Sequence, residues 1–88
     1  MEQLQILLNQ LQTLHESLNR VTNKRDRMET NLNLAAHSSY MQRQIEASTG
    51  IDYKHLFSKY QNYHRLVNNI REQIIYCQQD IVNATADL

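Results

Sequence analysis

Apolar residues recur at alternating spacings of three and four along nearly the whole chain, and this pattern constrains the fold more than any other feature. Positions 4, 7, 11, 14, 18, 21, 25, 28, 32 and 35 read Leu, Leu, Leu, Leu, Leu, Val, Arg, Met, Leu, Ala. A second track runs through 53, 56, 60, 63, 67, 70, 74, 77, 81, 84 and 88 as Tyr, Leu, Tyr, Tyr, Val, Ile, Ile, Cys, Ile, Ala, Leu. Such spacing forms a seam on one side of an α-helix and is the signature of paired helices. A strand needs strict alternation, which neither track shows. Leu8 and Ile45 widen the first seam, and Leu66 and Ile75 flank the second. The first track meets Arg25 and then fades at Ser39 and Gln42. A polar residue on a seam fixes register or oligomeric state at some cost in stability.

The chain has no proline and a single glycine, Gly50, lying between the tracks. Glycine takes the left-handed conformation that closes a helix, and Asp52 can cap the next one by accepting a backbone N–H. A joint this short turns two helices back on each other. The expectation is an all-α fold, an antiparallel two-helix hairpin of the coiled-coil type, forming one domain over 1–88. Helix one spans 3–48, the turn 49–52 and helix two 52–86. At 1.5 Å per residue the arms are roughly 68 and 52 Å long, so they are unequal. Pairing outward from Gly50 places Leu88 near Gln12 and leaves Leu4, Ile6, Leu7, Leu8 and Leu11 unpaired. Exposed apolar clusters mark interaction surfaces, and Leu4, Leu7, Leu8 and Leu11 are therefore candidate partner-binding residues. A frayed terminus is the alternative.

Eighty-eight residues make one small domain, marginal as a two-helix body without a partner or self-association into a bundle. Nine basic and nine acidic residues cancel, so no net field draws nucleic acid or an acidic membrane. No stretch approaches the roughly 20 apolar residues of a membrane span. Glu2 stands where a secretion signal would carry a basic residue, and Asn83-Ala84-Thr85 has no weight as a glycosylation site without such a signal. One cysteine suits a reducing compartment, and a cytoplasmic location is expected.

Chemistry is sparse. His15, His37, His55 and His64 form no i, i+4 pair of metal-ligand type, and Cys77 on the seam reads as a small buried apolar residue. Paired helices offer no pocket that excludes water around a nucleophile. No catalytic, cofactor or metal residue is expected, and the protein reads as a non-enzyme. The run from Arg20 to Arg27 is either a solvated face or a dock for an acidic protein surface, with RNA phosphates a weaker option. Tyr53, Tyr60 and Tyr63 interleave with basic residues as in a base-stacking surface, yet their seam register favours packing.

Gly50-Ile51 followed by Leu56, Tyr60, Tyr63, Leu66, Ile70 and Gln73 resembles the central region of the FliJ family, the small coiled-coil components of flagellar and type III secretion export. Glu29, Leu32 and Tyr40 are similar to that family's first helix, and the resemblance extends from Met28 to Ile81. It implies a protein that inserts its coiled coil into the ring of an export ATPase. Contacts with the export gate and with substrate–chaperone complexes are implied as well. Tyr40, Tyr63, Leu66 and Gln73 would then be partner contacts, and no residue would be catalytic. A second resemblance is to the YscE-like co-chaperones of needle subunits, carried by Asp52, Lys54, Leu66, Ile70, Ile74-Ile75 and Asp80. The short chain and its MEQLQ start are closer to that family, whose members pack on a larger helical chaperone. A homodimeric four-helix-bundle adaptor is the alternative outside export.

Overall fold

A computed structural model describes residues 2–86, all but four of which are helical. The order is α1 (Glu2–His37), α2 (Ser39–Thr49) and α3 (Tyr53–Ala86). No strand occurs among the described residues. The α1 and α3 helices pack against each other and run antiparallel. The Cys77 thiol near the end of α3 donates to the Leu7 carbonyl near the start of α1 at 3.4 Å. At the other end, Leu56 of α3 joins Leu32 and Ala35 of α1 in one cluster.

Every described position of both seams is buried or half-buried, from Leu4 to Ala35 and from Tyr53 to Ala84. Val67, at mid-seam in α3, is fully buried. Tyr53 and Tyr60 pack against the Leu32–Ala35–Ile45–Leu56 cluster, as apolar bodies on a seam should. Cys77 is buried with its thiol satisfied. Arg25 stays on the seam with its side chain 15% exposed, and its Nε and Nη2 both donate to Asp26 Oδ1 at 3.2 Å. The aliphatic stem of an arginine covers apolar surface while its head keeps a polar partner, so the seam tolerates the charge.

The helix expected to run unbroken over 3–48 is interrupted at Ser38. Its backbone is extended (φ −162°, ψ 149°), and its Oγ accepts the Met41 N–H at 3.0 Å, an N-cap that starts a new helix. The break lets α2 pack on the end of α1 instead of prolonging it, so that Ile45 is buried with Leu32, Ala35 and Leu56. An unbroken helix of roughly 68 Å would also exceed the molecule's 61 Å long dimension.

The joint after α2 follows the expected chemistry. Gly50 is left-handed at φ 69°, and its N–H donates to the Glu46 carbonyl at 2.9 Å. Asp52 Oδ1 accepts the His55 N–H at 2.8 Å and lies 2.7 Å from His55 Nδ1. Glu46 adds a tie across the turn: its Oε1 accepts the Tyr53 N–H at 3.0 Å and the Gln42 amide at 3.2 Å.

Candidate interaction surface

The Ser38 break changes the pairing and removes the expected overhang. With α2 set aside, α1 has 36 residues and α3 has 34, so the arms are nearly equal. Leu7 lies beside Cys77, not beyond the end of α3. Leu7 is accordingly buried and Leu4 and Leu11 are half-buried, leaving Leu8 and Ile6 as the exposed members of that group. Leu88, expected near Gln12, lies outside the described residues.

The remaining candidates fall in different places. Tyr40 on α2 and Leu66 on α3 are exposed, Gln73 is exposed beside a groove, and Tyr63 is half-buried on the seam. They form no single cluster. Leu56, Tyr60, Tyr63 and Ile70, which carry much of the export-family resemblance, all face inward.

Heptad positions sort what is left into two edges. With the seam at a and d, positions c and g lie along one edge of each helix and b and e along the other. In an antiparallel pair like edges meet, and here c and g of α1 meet c and g of α3. Between them runs an open groove of ≈ 630 Å³ at the free ends of the two helices. Gln10, Thr13, Gln73 and Asp80 line its sides, with Leu14 and Cys77 at the seam. Ile6 and Tyr76 also line the groove, and they are 51% and 67% exposed. Further along the same edge Leu34 and Leu66 are exposed too. The b and e edge carries exposed Leu8, Phe57, Ile75 and Val82. Tyr76 and Val82 escaped the seam reading because both lie off it, whereas Ile75 was read as a flank of the second seam and is exposed.

Other chemistry is modest. All four histidines are exposed; His64 stacks on Tyr60 with ring centroids 6.0 Å apart, and His55 lies against Asp52. The His55 backbone N–H, and then its ring, hold the Asp52 carboxyl below its ordinary value, which suits a helix cap. No three His, Cys, Asp or Glu side chains gather as metal ligands among the described residues. No described helix is long and apolar enough to cross a membrane. No family model, curated protein or solved structure matches this chain.

Proposed function

We propose that the chain is a non-enzymatic, cytoplasmic binding module whose coiled-coil hairpin is completed by a helix from another protein. The observation that carries this reading is the groove between α1 and α3. It places well-exposed Ile6 and Tyr76 beside buried Cys77, so apolar side chains reach from the seam to solvent between polar ones. An antiparallel pair covers only one face of each helix, and bundles of four bury the rest. Large exposed apolar side chains on both edges are what a two-helix fragment of a bundle leaves uncovered.

The export resemblance supplies named partners for such a module: the export ATPase, the export gate, or a helical chaperone of needle subunits. Exposed Tyr40, Leu66 and Gln73 are available to any of them. Mixing the purified chain with an export ATPase hexamer tests the stalk role by co-elution and a change in ATP turnover. Absence of both sinks that role. A stable one-to-one complex with a needle chaperone supports the co-chaperone role in its place.

The b and e edge favours a second reading, a homodimeric four-helix bundle. Its charges balance, with Asp26 and Glu29 against Lys54 and Arg71, and it exposes Leu8, Ile75 and Val82. Sedimentation equilibrium would show a dimer that Ile75→Asp splits; a monomer across the concentration range rejects the reading.

A further inference from the structure

The chain's zero net charge hides an uneven distribution. Among the described residues, the c and g edge holds Arg20, Lys24 and Arg27 on α1 and Lys59 on α3, against one carboxylate, Asp80. Four described cations thus share this edge with one described carboxylate, while Asp87, at the next g position of the sequence, lies outside the described residues. All four cations are exposed. Arg20 donates to Ser17 Oγ at 3.2 Å, and none of the four has a carboxylate within salt-bridge distance among the described residues. The basic stripe continues in line from the apolar groove at Ile6, Leu14 and Tyr76.

We propose that this edge docks an acidic amphipathic helix of a partner protein, with its apolar residues in the groove and its carboxylates along Arg20, Lys24, Arg27 and Lys59. The proposal rests on the binding-module reading above and specifies the partner's chemistry. From Ile6 to Arg27 the edge is about 31 Å long, the length of roughly 21 helical residues. The 4-then-3 spacing of Arg20, Lys24 and Arg27 matches carboxylates repeated at the same interval on a facing helix. A second copy is a poor complement. Pairing the edge with itself sets the four cations against Asp80 alone among the described residues, and still leaves them in excess when the g-position Asp87 of the sequence is counted. Nucleic acid would use the cations but leave the groove's Ile6 and Tyr76 without a role. Exposed charges of this kind steer association and choose between partners, and the apolar groove supplies the anchor.

The test uses the full chain and three fluorescent probes. One is a 21-residue helical peptide, designed with Leu at seam spacing and Glu beside it. The second is the same peptide with Lys replacing Glu, and the third is a single-stranded oligouridine. The acidic peptide is expected to bind and to weaken with added salt. It should bind at least tenfold more tightly than its basic twin. Combined Arg20→Glu, Lys24→Glu and Arg27→Glu should reduce acidic-peptide binding at least tenfold and improve binding of the basic twin. Tyr76→Ala should weaken both peptides. Unchanged helical circular dichroism in each variant excludes unfolding as the cause. Equal binding of the two peptides overturns the acidic-partner proposal but spares the binding-module reading, whereas no binding of either defeats both. Cation-dependent binding of oligouridine alone, or a dimer that Tyr76→Glu splits, assigns the edge to another occupant and overturns the proposal.

Discussion

Val67 and Val82 are the same residue on the same helix, and replacing each by alanine isolates the contribution of the seam. Val67 is 0% exposed and Val82 is 58% exposed. Both substitutions gain alanine's helix propensity, about 0.5 kcal/mol, so that term cancels in the comparison. At Val67 two buried carbons are lost, costing about 1.6 kcal/mol at ~0.8 kcal/mol each. Incomplete collapse around the vacated space adds roughly 0.5–1 kcal/mol. At Val82 most of the side chain is already in water, and the loss is a few tenths of a kcal/mol at most, in line with other surface changes. The two variants should therefore differ by about 2 kcal/mol. For a domain of this size that is roughly 8–16 °C in midpoint. Thermal unfolding followed by circular dichroism at 222 nm reads the difference directly. Equal midpoints, or a larger loss at Val82, would mean that α3 turns another face to α1 and would refute the assigned seam.

The caps make separate predictions. A Cβ at Gly50 meets nothing within 4 Å, so Gly50→Ala should cost about 1 kcal/mol from its left-handed backbone alone, and Gly50→Asn less, by denaturant titration. Ser38→Ala should cost about 1 kcal/mol and speed hydrogen exchange at the Met41 amide, whereas Ser38→Asp should preserve both; an unchanged Met41 rate would argue against the cap. The folded Asp52 carboxyl titrates below its ordinary 3.8, so its contribution is complete above that pH and is lost as pH falls through the lower folded value. Asp52→Asn should therefore flatten the acid limb of the stability–pH curve below about pH 4, and an identical limb in both proteins would contradict the cap.

The seam was readable because period and burial express the same geometry: a residue every three or four positions returns to one face. Gly50 and Asp52 were readable because few residue types satisfy a left-handed C-cap or an N-cap. Ser38 was not, since serine occurs both within helices and at their starts. The deciding term was tertiary, the burial of Ile45 against Leu32, Ala35 and Leu56. The fade of the first track at Ser39 and Gln42 was its trace in the sequence. Missing that break made the arms unequal, moved the register and created an overhang, whereas the seam in fact buries Leu7 and half-buries Leu4 and Leu11. The basic run from Arg20 to Arg27 was legible, but its alignment with Lys59 was not. The heptads put Arg20, Lys24, Arg27 and Lys59 on one edge, but only the register that sets Leu7 beside Cys77 brings Lys59 level with the α1 cations.

The register of α1 against α3 fixes where the groove lies along the pair and sets the basic stripe in line with it. Gln3 and Asp80 line the same small cleft at the free end of the molecule. In an unbroken hairpin turning at Gly50, Asp80 would instead lie opposite Arg20, about 25 Å further along α1. Spin labels at Gln3→Cys and Asp80→Cys, in a Cys77→Ala background, allow double electron–electron resonance to measure the separation. A narrow distribution near roughly 15–20 Å is the predicted result for two labels facing each other across one helix pair. A distribution centred beyond about 30 Å would restore the unbroken helix and contradict the fold-back at Ser38.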